Sequence, residues 1–171
     1  MNFVLLFVQG FTNGFSILIS KAFGQKNEVE VKRSIAASTI LSIFYTVAIT
    51  LISCPLTGLF LDLLKIPAEI YNDAYDYLFI ILLGTGATIF YNLISNILRA
   101  LGDSKLPLIL LIISSILNIF LDIIFILPLG MGFGGAAIAT VLSQLFSAVL
   151  CTIIALKRFE ELKIEKKTLK V

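Results

Sequence analysis

SSILNIFLD, residues 114–122, sets a carboxylate inside apolar sequence: Asp122 is the only charged residue between Lys105 and Lys157. A carboxylate at the centre of a membrane helix is disfavoured by roughly 2.5–3.5 kcal/mol on insertion scales, so it is expected to face a bundle interior or a wet cavity. Asn118 lies four residues earlier. On a helix that spacing puts carboxamide and carboxylate on one wall.

The surrounding composition fixes the class. Hydrophobic residues make up 58% of the chain and charged residues 14%, and the mean hydropathy is +1.03. The uncharged runs match or exceed the ~20 residues a membrane helix needs. The reading is an all-α polytopic membrane helix bundle with five transmembrane helices, in contact with the lipid bilayer. A net charge of +2, with basic residues at segment ends rather than on one face, gives no footprint for nucleic acid. Histidine is absent, which removes the commonest proton-transfer side chain and zinc ligand and leaves carboxylates to titrate. Cys54 and Cys151 lie in apolar runs without CxxC spacing and read as packing residues. No pair of carboxylates shares a span and no nucleophile stands beside a base, so nothing suggests an enzyme. No metal site or cofactor is expected beyond a coupling ion.

Outward from that stretch, five spans are expected. Met1–Ser20 has no basic leader and reads as a span rather than a cleaved signal, with Gly10 and Gly14 as a small-residue packing face. Gly24 is placed as a helix stop. Ser34–Leu61 is uncharged, and Pro55 predicts a kink or an early end. Pro67 suits the first turn of a short helix, with Glu69 at its positive end. Tyr77–Leu98 forms the third span, its polar members Tyr91, Asn92, Ser95 and Asn96 gathered in the second half. Pro107 opens the fourth, which ends near Leu127. PLGMGFG, residues 128–134, is a tight turn into the fifth, Gly135–Leu156, where Gly132 and Ala136, Gly135 and Ala139, and Ala136 and Thr140 recur at four-residue spacing.

Lys and Arg alternate between the polar segments: four, one, two, none and six along the chain. The positive-inside rule then places the C-terminus in the cytoplasm and the N-terminus outside. An outside N-terminus without a signal leads to the expectation of a further helix ahead of Met1.

Three stretches in order carry a resemblance: GFSILISKAFGQKN, YLFIILLGTGATIFYNLISNILRALGDSKLP and LNIFLDIIFILPLGMGFGGAAIATVLSQ. Together, and most specifically through LRALGDSKLP, LNIFLD and MGFGGAAIAT, they resemble the multidrug and toxic compound extrusion (MATE) transporters. The resemblance covers residues 1–158. It implies two six-helix lobes around a central cavity that opens alternately to each side. Residues 1–158 would be a partial N-terminal lobe, helices two to six, and 159–171 a cytoplasmic tail or inter-lobe connector. The first helix, which in prokaryotic members usually carries an acidic residue near the cation site, and the C-terminal lobe would be partners from the same transporter.

The candidate cation-coupling and cavity residues are Asp122, Asn118, Thr140, Tyr77 and Asn96. Asp122 carries the resemblance to LNIFLD and the physical argument together. Asn118 would hold a cation through its oxygen or donate to the carboxylate. Thr140 is similar to a pocket-lining position, although a membrane threonine commonly bonds a backbone carbonyl. Tyr77 also suits an interfacial anchor. Gly102 and Asp103 read as connector. The function expected is export of organic cations or drugs in exchange for H⁺ or Na⁺, with no ATP-binding loop of the GxxxxGK[ST] kind. A lipid-linked sugar flippase of the same architecture, or a truncated non-transporting fragment, are the alternatives. A flippase would need basic side chains inside the membrane, which these spans lack.

Overall fold

The first helix, α1 (Asn2–Gly24), ends where glycine was expected to end it. The residue that turns the chain is Lys26, at φ +55°. Asn27 N–H reaches the carbonyl of Ala22 at 3.2 Å and Lys26 N–H that of Phe23 at 3.0 Å, the paired bonds of a Schellman cap. The computed structural model describes residues 2–159 of the chain, with side chains described at residue 10 and from residue 13 onward. The expected connector 159–171 therefore lies, but for Phe159, outside the described residues.

Asn27 opens α2 (Glu28–Ser53): its side-chain oxygen accepts from Glu30 N–H at 3.2 Å while its amide donates to the Glu30 carboxylate at 3.1 Å. That is the reciprocal logic of a capping box, and it starts the helix six residues ahead of the uncharged run. Pro55 then ends the helix early, as expected. A turn through Cys54–Leu56 leads to the short α3 (Thr57–Leu63), and a 3-10 turn, Ala68–Ile70, follows Pro67.

The third expected span differs most. It begins at Tyr71 rather than Tyr77 and is broken in two, α4 (Tyr71–Leu83) and α5 (Thr85–Ala100), which meet at Gly84 with a bend of 41°. The break coincides with close packing. A Cβ on Gly84 would stand 2.8 Å from Cγ1 and 3.1 Å from Cβ of Val141, with Cγ2 closer still, so only glycine lets the two backbones approach here.

A second Schellman cap, with Gly102 at φ +91°, ends α5 and leads into α6 (Lys105–Ile126). The tight turn expected after Leu127 is present: Met131 N–H bonds the Phe125 carbonyl at 3.0 Å, and α7 (Gly132–Arg158) begins.

α5 and α7 are the axis of the bundle. α7 packs against α4, α5 and α6, while α5 packs against α1 and α2. On α7 the residues Gly135, Ala139, Ser143, Ser147, Cys151 and Ala155 are all buried, each four after the last. Four residues overshoot a helical turn by about 40°, so this row winds around α7. It meets α6 through the Ser147 hydroxyl on the Leu110 carbonyl (3.2 Å) and the Ser114 hydroxyl on the Ser143 carbonyl (2.9 Å). It then reaches a core of Cys151 and Ala155 with Ile19, Val31, Leu93, Ile97 and Leu101. Of the expected small-residue pairs, Gly135 with Ala139 lies in this row, whereas Gly132 is exposed and Ala136 and Thr140 are half-buried. Among the described residues nothing lies within 4 Å of a Cβ at Gly10 or Gly14, the face expected to pack closely.

Among the described residues three helices, α2, α6 and α7, are long and apolar enough to cross a membrane, and α4 with α5 counts as a fourth if the bent pair is one span, against the five expected. Their outer faces are apolar, with Phe44 74%, Leu51 69% and Phe120 60% exposed, as lipid-facing helices require. The segments rich in Lys and Arg gather at one end, since Ala22, Val31, Leu101 and Ala155 share one core cluster. Asp103 ties that end. Its Oδ1 accepts from the N–H groups of Lys105 and Leu106, at 3.2 and 3.1 Å, and its Oδ2 from Arg158 at 2.6 Å.

Candidate functional site

The face of α6 toward α7 carries Ser114, Asn118 and Asp122 at four-residue spacing. Ser114 anchors it, being buried and bonded across to the Ser143 carbonyl. One turn on, Asn118 Nδ2 donates to Thr140 Oγ1 at 3.5 Å, while the Thr140 hydroxyl bonds its own Ala136 carbonyl at 2.9 Å. Thr140 thus bonds a backbone carbonyl, as a membrane threonine commonly does. One turn further, Asp122 is half-buried, and its Oδ1 is buried with no hydrogen-bond partner among the described residues. A buried carboxylate oxygen left unpaired keeps its full capacity for a proton, a cation or a donor from another helix, and burying it unpaired is costly.

The polar line continues beyond the expected residues. Gln144 lies one turn from Thr140 on α7, and its side-chain oxygen accepts from the Thr88 hydroxyl of α5. Asn92, one turn from Thr88, donates to the Thr88 carbonyl at 2.9 Å, and Asn96, a turn further, is buried. Asp122, Asn118, Thr140, Gln144, Thr88, Asn92 and Asn96 therefore form one seam across α6, α7 and α5. Thr88 and Gln144 were not among the sequence candidates. The signal available was spacing: 88, 92 and 96 share one helix face, and so do 140 and 144.

Tyr77 stands apart from the seam. It is half-buried in α4 and lines an apolar cavity of about 300 Å³ with Leu61, Leu64, Ile70 and Phe133. This lies at the end where Tyr71 bonds Asp62 at 3.1 Å, opposite the basic end. Chemically, the seam offers one carboxylate, four carboxamides and two hydroxyls within otherwise apolar helices, a set suited to hard cations and to polar groups of a ligand rather than to bond-breaking.

A family model described as MatE matches residues 1–124. The chain is 34% identical over 158 residues to the probable multidrug resistance protein NorM of Thermotoga maritima, covering 90% of this chain and 34% of that protein. It is 36% identical over 141 residues to the probable multidrug resistance protein YpnP of Bacillus subtilis, covering 82% and 32%. Its fold superposes on the inward-facing conformation of a multidrug resistance MATE family transporter with a TM-score of 0.89 and 28% identity, over 96% of this chain and 38% of that one. The chain thus spans about a third of the length of the curated relatives it matches.

Proposed function

The chain belongs to the MatE family, and we propose that the protein these helices serve is a secondary active antiporter. It exports organic cations or drugs in exchange for H⁺ or Na⁺. Residues 1–158 form helices two to six of its N-terminal lobe, with α1 and the bent α4–α5 pair completing five spans. The basic end faces the cytoplasm, in keeping with the positive-inside rule. A first helix and a C-terminal lobe close the cavity.

The observation that carries this reading is the unpaired, buried Oδ1 of Asp122 one turn from the Asn118–Thr140 contact. Held between apolar helices, the carboxylate is stabilised by a bound proton or cation. When water or a cationic substrate reaches it, that ion is released, and this exchange links the two fluxes. Asn118 positions the site and offers its oxygen to the ion. Gln144 and Thr88 extend the wall toward Asn92 and Asn96, giving a substrate polar contacts across α5 and α7. Asp122→Asn in the complete transporter is expected to stop ion-coupled efflux while membrane insertion persists. Export of an organic-cation dye by that variant at the wild-type rate sinks the coupling role.

A further inference from the structure

At the basic end, a groove of about 540 Å³ runs between α1 and the first turns of α2, walled by Phe15, Leu18, Arg33, Ser34, Ala37 and Leu41. Its walls change character with depth. Arg33 is the last charged residue before the uncharged run from Ser34 to Leu61, so it stands at the level where headgroups begin. Leu41 lies eight residues further, about 12 Å along the helix axis. Leu18 and Leu41 are 59% and 46% exposed, an apolar trough open to the side.

The charge at the mouth is unbalanced. Residues 21–33 carry four basic side chains, Lys21, Lys26, Lys32 and Arg33, against Glu28 and Glu30. Glu30 also lines the groove and keeps its negative charge while accepting from the Asn27 amide, so the excess over residues 21–33 is two positive charges. Among the described residues Arg33 has no ion-pair partner; the ion pair there is Arg158 with Asp103.

We propose that this groove is a binding site for an anionic phospholipid, its phosphate on Arg33 beside the Ser34 hydroxyl and an acyl chain along Leu18, Ala37 and Leu41. A planar guanidinium pairs with phosphate through two parallel hydrogen bonds. Basic pockets between membrane helices are where charged headgroups settle. A free phosphate would leave the apolar trough uncovered, and a zwitterionic headgroup would leave the excess positive charge unmatched. The site stands whether or not Asp122 couples an ion, and its test needs no transport.

The purified full chain in detergent micelles, given equal amounts of phosphatidylglycerol and phosphatidylcholine, is examined by native mass spectrometry for retained lipid. Phosphatidylglycerol is expected to be retained several-fold over phosphatidylcholine. Arg33→Gln is expected to lower that retention about fivefold, the factor one basic residue contributes near an anionic surface. Arg33→Lys should lie between the two, and Leu41→Gln should weaken retention without changing any charge. Arg99→Gln, at the same end but outside the groove, should change nothing. Equal retention of the two lipids overturns the proposal. So does an equal loss in Arg33→Gln and Arg99→Gln, which would mean a diffuse field, or displacement of the lipid by millimolar inorganic phosphate, which would mean a simple anion site.

Discussion

Gly84 is expected to tolerate no side chain, and the reason lies 57 positions away in Val141. In Gly84→Ala the new methyl would sit 2.8 Å from Val141 Cγ1 and 3.1 Å from its Cβ. Rotating Val141 cannot clear it, because Cβ does not move with χ1 and a helical valine holds essentially one rotamer. The helices must therefore part. Overpacking of this kind costs about 1–3 kcal/mol, against a gain of about 0.4–1 kcal/mol from the stiffer unfolded chain. A net loss of about 1–2 kcal/mol follows from those two terms. Val141→Ala removes both Cγ atoms and leaves only the 3.1 Å contact, so the pair should be coupled. In the double variant Gly84→Ala should cost much less than it does alone, with a coupling energy of about 1 kcal/mol or more. Reversible unfolding of the purified protein in mixed micelles measures all four corners of the cycle. Additive effects, or Gly84→Ala at wild-type stability, would refute the view that the approach of Val141 excludes a side chain at position 84.

Gly135→Leu, whose Cβ would meet those of Met131 and Phe125 at 2.8 and 3.1 Å, is expected to sharply reduce the monodisperse fraction in fluorescence-detected size-exclusion chromatography, and normal behaviour would show that the α6–α7 turn is not tightly packed. Asp103→Ala loses both the α6 cap and the ion pair and should destabilise by about 1–2 kcal/mol, whereas Arg158→Ala, whose side chain is 63% exposed, should cost under ~1 kcal/mol; equal losses on unfolding would mean that the ion pair, not the cap, holds that end. A double-mutant cycle on Thr88→Ala and Gln144→Ala is expected to give about 0.6 kcal/mol, and no more than about 1.7, with zero coupling showing that the two side chains do not bond in the membrane.

The sequence disclosed the parts of this fold that local chemistry decides. Pro55 removes a backbone donor and ends α2; the segment around Gly102 and Asp103 is a connector; the uncharged PLGMGFG segment joins two antiparallel helices. Asn118 and Asp122 are legible as neighbours on one helix face from their spacing, whereas the contact of Asn118 with Thr140 is not, because it joins two helices. Where long-range packing decides, the reading stopped short. Nothing in the sequence near Gly84 distinguishes it from Gly86, two residues on, and Gly86 too is closely approached, by Thr46 Cγ2 at 2.9 Å from where a Cβ would stand, yet stays inside α5. Charge marks the start of the second apolar run at Ser34, yet a helix continues through charged residues once it leaves the apolar layer, and Asn27 caps α2 at Glu28. Lys26 turns the chain at positive φ, a place where glycine is the usual signal, so Gly24 drew the reading instead. The Thr88–Gln144 contact joins helices 56 residues apart, and neither residue is unusual by itself.

The central claim is that an ion gradient, acting through Asp122, drives export. Its most direct measurement is dye efflux from proteoliposomes containing the complete transporter, with an imposed H⁺ or Na⁺ gradient, with that gradient collapsed by an ionophore, and with Asp122→Asn. The account predicts export that follows the gradient of one ion, stops when it is collapsed, and is lost in the variant. Export that persists without any gradient, or that Asp122→Asn sustains at full rate under one, would contradict it.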